Sequence, residues 1–171
     1  MTDSAPDPGA GGGAVSVSVD GGDFKTFAVR TTLVTAVGTD GKRVYVGTTE
    51  GGSTSRLLSF ALDGTGEREI AKAVPGERIA FWSKIVPAPG DGPIALQANG
   101  DDGYARSFLI ASAGGTFTEL SRLRDARIHA WSASGEQLFL IEGNAFQGQQ
   151  TSLVCVGRDG SGRRDIVTGA R

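Results

Sequence analysis

A pattern of short apolar strands separated by tight turns occurs three times along the chain, and this repeat constrains the fold more than any other feature. The three copies occupy segments 39–73, 89–123 and 133–168. In the first copy, Asp40-Gly41 and Asp63-Gly64 favour two-residue hairpin turns, because glycine adopts the positive φ that these turns require. Two turns join three strands, and the Thr- and Val-rich segment 31–38 is predicted to add a fourth.

A second match lies in the strand that begins each of the last two units. The sequence Arg78-Ile79-x-x-Trp82-Ser83 recurs 49 residues later as Arg127-Ile128-x-x-Trp131-Ser132. Self-similarity at about 40 to 50 residues, with four strands per unit, is typical of β-propeller blades. Trp82 and Trp131 are predicted to fill equivalent buried positions between blades, where large rings occupy much space.

These observations predict an all-β fold, namely a partial β-propeller that forms an open arc. It is expected to contain about three four-stranded antiparallel blades and an N-terminal hairpin, in which residues 15–19 and 24–29 alternate between apolar and polar. The predicted boundaries are a flexible Gly- and Pro-rich tail at 1–14 and a repeat domain at 15–171, divided into a half blade at 15–30 and blades at 31–73, 78–123 and 127–169.

One segment also has a helical pattern. Leu120, Leu123, Ile128 and Trp131 are near helical spacing, and Thr116 with Glu119 has the spacing of a capping box. The repeat register instead aligns 117–123 with the outermost strands of the other two copies. We therefore predict a strand here.

The turn motifs resemble those of TolB-type and related WD-repeat-like propellers. The residues that carry the resemblance are Thr39-Asp40-Gly41-Lys42-Arg43-Val44-Tyr45-Val46 and Asp159-Gly160-Ser161-Gly162-Arg163-Arg164-Asp165-Ile166-Val167. The middle copy departs from the pattern, with Gly114-Gly115 at the equivalent turn. The resemblance implies a non-catalytic binding or scaffold module. It also allows a periplasmic or extracellular location if the true start lies upstream, since residues 1–13 lack the regions of a signal peptide.

Composition and charge restrict the classes of partner. The 171 residues include 27 glycines and carry a net charge of −2, with no basic stripe that would favour nucleic acid. The sequence contains no run of about 18 apolar residues, so no transmembrane helix is predicted. Cys155, the single cysteine, excludes an intramolecular disulfide and is interpreted as a small buried hydrophobic residue.

Candidate catalytic and metal-binding groups are few. His129 is the only histidine, and no G-x-S-x-G segment occurs, so the sequence predicts a packed or channel-facing histidine in place of a catalytic one. Segment 99–104 groups three oxygen-bearing side chains, but it lacks the order of a calcium loop, and a solvated turn is favoured. We predict no cofactor, no metal site and no catalytic residue.

In a propeller, the loops between the second and third strands and those that lead into each innermost strand lie on one face, and loops on a rigid scaffold often bind ligands. Ten residues are predicted on this ligand face: Glu50, Arg78, Asn99, Asp101, Asp102, Tyr104, Arg127, Asn144, Phe146 and Gln147. The favoured function is a binding or scaffold module with an unknown ligand. The alternative is the propeller portion of a larger enzyme, such as the gating domain of a serine peptidase.

An arc of three and a half blades is not expected to close into a ring, so it has two free ends. The outward faces at the ends of the arc are expected to be apolar and bare, because central strands of blades are apolar on both faces. We therefore predict a protein partner, or self-association through these faces.

Overall fold

The computed structural model describes residues 13–17, 25–29, 33–50, 54–72, 79–100, 105–121, 126–143 and 150–169. Within these residues all regular structure is β-strand, and no helix occurs. The strands are β1 (Gly13–Val17), β2 (Lys25–Val29), β3 (Leu33–Thr39), β4 (Arg43–Glu50), β5 (Thr54–Ala61), β6 (Arg68–Lys72), β7 (Ile79–Pro87), β8 (Ile94–Gly100), β9 (Ala105–Ile110), β10 (Thr118–Ser121), β11 (Arg127–Trp131), β12 (Gln137–Glu142), β13 (Ser152–Gly157) and β14 (Arg164–Thr168).

The strands form three four-stranded sheets and one two-stranded sheet. In chain order, β3 to β6 make the first blade, β7 to β10 the second blade and β11 to β14 the third blade, while β1 and β2 form the N-terminal hairpin. Every pairing is antiparallel between strands that are consecutive in the sequence. The architecture is that of an open partial propeller, which confirms the predicted fold class. Segment 118–121 is the strand β10, as the repeat register predicted.

The turns form as the Asp-Gly motifs predict. The carboxylate of Asp40 accepts hydrogen bonds from the backbone N–H groups of Lys42 and Arg43, at 2.8 and 2.7 Å, and Gly41 adopts a φ of 84°. The outer turns of the first and third blades are alike: Asp63 accepts from Thr65, and Asp159 accepts from Ser161, each through both the backbone N–H and the hydroxyl. Local side-chain hydrogen bonds therefore set these hairpin turns in the first and third blades.

Two apolar clusters join successive blades. The first is made by Tyr45, Leu57 and Ile70 of the first blade with Trp82, Ile85, Ile94, Leu96, Ala98, Phe108 and Ile110 of the second. The second is made by Ala95 and Leu109 of the second blade with Ile128, Leu138, Leu140, Val154 and Val156 of the third. A third cluster, formed by Val44, Val46, Leu58 and Phe60, lies on the opposite face of the first blade and is buried.

The two tryptophans differ in burial. Trp82 is fully buried, as predicted, and its ring lies 6.5 Å from that of Phe108 and 5.7 Å from that of Phe117. Trp131 is only partly buried, and its Nε1 donates a 2.9 Å hydrogen bond to the carbonyl of Val86 in the second blade. The sequence repeat predicted buried positions for both tryptophans. Trp131 departs from this prediction, because its indole N–H reaches a backbone oxygen of the second blade.

Tyr45 gives the first blade a pH-dependent contribution to stability. Burial, followed by the 2.9 Å hydrogen bond that the phenol donates to Asp40, raises the pKa of Tyr45 above its ordinary value. A raised phenol pKa means that the folded state favours the neutral form. This contribution is therefore complete below the unfolded pKa of about 10 and is lost as the pH rises above it.

We expect Tyr45→Phe to cost about 1 kcal/mol of unfolding free energy at neutral pH, through the lost hydrogen bond. We also expect this variant to lose less stability than the native protein above about pH 10, because it has no buried phenol to ionise. Urea unfolding at a series of pH values measures both effects. Equal alkaline losses in the two proteins would show that the Tyr45 phenol ionises freely in the fold.

Candidate functional site

Most of the predicted ligand face lies outside the described residues. Arg78, Asp101, Asp102, Tyr104, Asn144, Phe146 and Gln147 fall there, and Glu50 is described only as the last residue of β4. Asn99, in β8, is partly buried and lies 3.4 Å from the hydroxyl of Ser83. Arg127 begins β11 and is exposed. The ligand face therefore stays a prediction.

His129 and Cys155 occupy different environments. His129 is exposed at a register shift between β11 and β12, where Lys84 of the second blade donates to the carbonyls of Ile128 and His129. Cys155 is buried in β13, as the sequence predicted for a small hydrophobic residue. Within the described part of the chain, no cluster of three or more His, Cys, Asp or Glu side chains is placed to hold a metal ion. No described helix is long and apolar enough to span a membrane.

An open groove of about 720 Å³ lies between the turns of the second and third blades. Its charged side chains already have local partners. Arg158 contacts Glu136 at 3.1 Å, and Asp91 lies 3.6 Å from Lys42. The hydroxyl of Ser161 lowers the pKa of the Asp159 carboxyl by hydrogen bonding to the carboxylate. The charged side chains of the groove are thus engaged in local contacts, within the third blade for Arg158, Glu136 and Asp159 and with Lys42 of the first blade for Asp91.

A second candidate surface is the outer side of the third blade, which faces away from the second blade. Strand alternation places Phe139 and Ile141 of β12 on this side, opposite Cys155 and Leu153 of β13. In β14, Val167 pairs with Leu153, and a register shift leaves Ile166 as the extra residue beside it. We call this surface the terminal face, and we define it by Phe139, Ile141, Leu153, Cys155, Ile166 and Val167.

The first blade shows what the equivalent surface looks like when it is covered. The repeat aligns Tyr45, Leu57 and Ile70 with Phe139, Leu153 and Ile166. Against the second blade, the three first-blade residues are 1%, 0% and 6% exposed. On the terminal face, Phe139 and Leu153 are partly exposed and Ile166 is 44% exposed. The terminal face is thus a blade-packing surface without a blade against it.

Positive charge flanks the terminal face. The register pairs Arg127 with Ile141 and Arg164 with Cys155, which places both arginines on the terminal side of the sheet, one on the innermost and one on the outermost strand. Both side chains are exposed. Arg163 instead contacts the buried Glu142 at 2.7 Å, and this hydrogen bond raises the pKa of Arg163. An apolar centre with a charged rim is the usual layout of a protein interface.

No family model matches the chain, and no curated protein matches it. A solved structure of a protein assigned as TolB, from Agrobacterium tumefaciens, aligns with a TM-score of 0.57 at 17% sequence identity. The fold is a TolB-like partial β-propeller. The alignment covers 84% of this chain and 50% of the TolB structure, so this chain spans about half the length of that protein. At this identity the similarity establishes the fold, and it confirms the family resemblance of the turn motifs at the level of the blades.

The sequence predicted a bare apolar end in general terms, but not all of the residues that form it. Outermost strands often carry charges that block pairing with another sheet edge, and Arg164 and Asp165 fit that pattern. Ile166 and Val167 do not, because they are 44% and 57% exposed on the terminal face. The alignment of Ile166 with Ile70 is the sequence signal that could have identified this residue. An apolar residue in an outermost strand contributes packing where another blade covers it.

Proposed function

We propose that this protein is a non-catalytic protein-binding scaffold and that a partner covers its terminal face. The observation that carries the proposal is the difference between Ile70 and Ile166, which are 6% and 44% exposed at equivalent positions of the first and third blades. The same sheet face is covered in one blade and open in the other. Contiguous exposed apolar surface of this kind marks interaction sites in soluble proteins.

The composition of the face supports a protein partner in preference to a small molecule. Phe139, Ile141 and Leu153 lie on adjacent central strands, and Ile166 and Val167 extend the apolar surface to the outermost strand. This surface is a broad sheet face, whereas sites for small molecules are concave pockets. Aromatic and aliphatic side chains at its centre, with Arg127 and Arg164 at its edges, fit the core and rim of a protein interface.

A photo-crosslinking residue at position 166 tests the proposal in the cell that produces the protein. We expect irradiation to join a polypeptide to position 166, because a partner that covers the terminal face lies within reach of this side chain. The matched control carries the same residue at Thr116, which is exposed near the outer turn of the second blade. No adduct at position 166, or equal adducts at both positions, would contradict the proposal.

A further inference from the structure

We infer that the terminal face binds a β-sheet of another polypeptide, and that Arg127 and Arg164 hold this sheet by donating hydrogen bonds to its backbone carbonyl oxygens. The inference rests on the proposed function, and it adds the kind of partner and the two residues that recognise it. Its basis lies inside the chain. Each arginine has an equivalent in an earlier blade, and both equivalents already make such a contact with the blade that follows.

At the outer edge of the terminal face, Arg164 is the equivalent of Arg68. Strands β6 and β14 have the same register, because Arg68 pairs with Ser59, Arg164 pairs with Cys155, and a register shift follows in each strand. The guanidinium group of Arg68 donates a hydrogen bond to the backbone carbonyl of Ala113, in the outer turn of the second blade. Arg164 therefore occupies the position from which the first blade contacts the backbone of the blade that covers it.

At the inner edge of the terminal face, Arg127 is the equivalent of Lys84. Each precedes an isoleucine that pairs with a central leucine of the neighbouring strand. The ammonium nitrogen of Lys84 lies 2.8 Å from the carbonyl oxygen of Ile128 and 3.3 Å from that of His129, both in the innermost strand of the third blade. Arg127 therefore occupies the position from which the second blade contacts the innermost strand of the blade that covers it.

Both arginines are available for such contacts. Their side chains are exposed, and among the described residues neither has a hydrogen-bond or ion-pair partner. A guanidinium group carries several N–H donors and no acceptor, so its natural partners are oxygen atoms. A sheet offers free backbone carbonyl oxygens at its edges and turns, whereas a helix uses its carbonyl oxygens internally except in its last turn. Donors at both edges of one apolar face therefore favour a sheet as the occupant.

The outer turn of the covering sheet is expected to lie on Ile166. Inside the chain, each following blade places its outer hairpin turn on the outermost strand of the blade before it. A β-carbon added to Gly114 would lie 2.7 Å from the backbone oxygen of Ile70, and one added to Gly160 would lie 3.0 Å from the side chain of Leu120. Ile166 is the equivalent of Ile70, so the partner needs a residue of little bulk in the turn that meets it.

The centre of the terminal face restricts the side chains of the partner sheet. At the contact between the first two blades, Trp82 lies so close to Gly47 that an added β-carbon would be 3.0 Å from it. The terminal face has Ile141 at this position, two residues after Phe139, as Gly47 is two residues after Tyr45. A tryptophan placed there by the partner would overlap Ile141. The covering sheet therefore carries a smaller residue at this point, and the second blade of another copy does not fit.

Photo-crosslinking from position 166, in the cell that produces the protein, tests the kind of partner. Mass spectrometry of the adduct locates the partner residue that is attached. We expect this residue to lie in a hairpin turn that leads into the outermost strand of an antiparallel sheet, because such a turn lies on Ile70 inside the chain. Attachment to a helix, or to a segment without β-structure, would overturn the inference.

Variants of the two arginines, each with the crosslinking residue at position 166, test the hydrogen bonds. A dilution series of an extract from the producing cells makes the adduct yield a measure of affinity. We expect Arg127→Ala combined with Arg164→Ala to lower the affinity about tenfold or more, since two charged donors are lost. Arg127→Lys combined with Arg164→Lys should retain most of the affinity, because Lys84 makes the same kind of contact as a lysine.

The matched control removes the same amount of charge from the first blade. Lys42→Ala combined with Lys72→Ala alters two side chains that are 65% and 64% exposed. This control should bind the partner as the unaltered protein does, and circular dichroism verifies that every variant is folded. Equal affinities for the control and for the alanine variant of the arginines would show that the arginines do not contact the partner.

Salt distinguishes carbonyl acceptors from carboxylates. Attraction between exposed guanidinium and carboxylate groups is screened by salt, whereas apolar burial and hydrogen bonds to carbonyl groups change much less. We expect the adduct yield in the extract at about 0.5 M NaCl to stay within about twofold of the yield at about 0.05 M. A fall of about tenfold would show that the arginines pair with carboxylates, and the assignment of carbonyl acceptors would be wrong.

The failure of this inference and the failure of the proposed function give different results. If no adduct forms at position 166 in the cell, the proposed function itself is wrong. If an adduct forms but is attached to a helix, or is insensitive to the arginine variants, the terminal face still binds a protein. Only the assignment of a β-sheet held by Arg127 and Arg164 is then wrong.

Discussion

Replacing Trp82 with alanine is expected to lower the free energy of unfolding by about 3 to 5 kcal/mol, the range typical of a large aromatic residue removed from a core. The side chain is fully buried between the first and second blades, in edge contact with Phe108 and tilted contact with Phe117. No other residue fills this volume if the two sheets stay in register, so the variant retains a cavity. Chemical unfolding followed by far-ultraviolet circular dichroism measures the change.

Trp131→Ala is the matched comparison. Its ring is partly exposed, so less apolar surface returns to water, and the hydrogen bond to Val86 adds about 1 kcal/mol. We therefore expect a smaller loss than for Trp82→Ala. A loss below about 1 kcal/mol for Trp82→Ala would mean that the tryptophan is not part of the contact between blades.

Replacing Gly38 with alanine is expected to cost about 3 kcal/mol or more, because this glycine lets the innermost strands of the first two blades approach closely. A β-carbon at position 38 would lie 2.5 Å from the backbone oxygen of Ile85, in β7. Rotation of a side chain cannot relieve a clash with backbone, so β3 and β7 must separate. The cluster of apolar residues between the blades would then lose packing along its length.

Gly41→Ala is the control, since Gly41 has a positive φ of 84° and no atom within 4 Å of an added β-carbon. Only backbone strain opposes this change, and we expect a loss of about 1 kcal/mol. Urea unfolding of the two variants gives the comparison directly. Equal losses for Gly38→Ala and Gly41→Ala would indicate that the inner strands are not held as close together as the structure places them.

Much of the fold was predictable from the sequence, because local and repeated signals agree. Asp40-Gly41, Asp63-Gly64 and Asp159-Gly160 each form the turn that their chemistry favours. In the described residues of this segment the helical spacing did not produce a helix, since Thr118–Ser121 pairs with β9 and Arg127–Trp131 pairs with β12. Tertiary pairing outweighs a weak local periodicity in such a segment.

The candidate site was harder to predict for two physical reasons. Exposure of Ile166 and Val167 depends on the absence of a blade against one side of a sheet, and alternation along a strand does not show which side is covered. The register shift between β13 and β14 also moves Ile166 to the terminal face, and a strict alternating pattern would have placed it on the inner side. The repeat alignment with Ile70 carries this information, whereas the strand considered alone does not.

The central claim is that the terminal face is a blade-packing surface that no other described part of residues 13–169 covers. Hydroxyl-radical footprinting of dilute protein tests it most directly, because labelling reports the solvent exposure of individual side chains. We predict strong labelling of Ile166 and Val167 and weak labelling of their first-blade equivalents, Ile70 and Ala71. Equal protection of the two pairs in the dilute, monomeric protein would contradict the account, since the third blade would then be covered by its own chain.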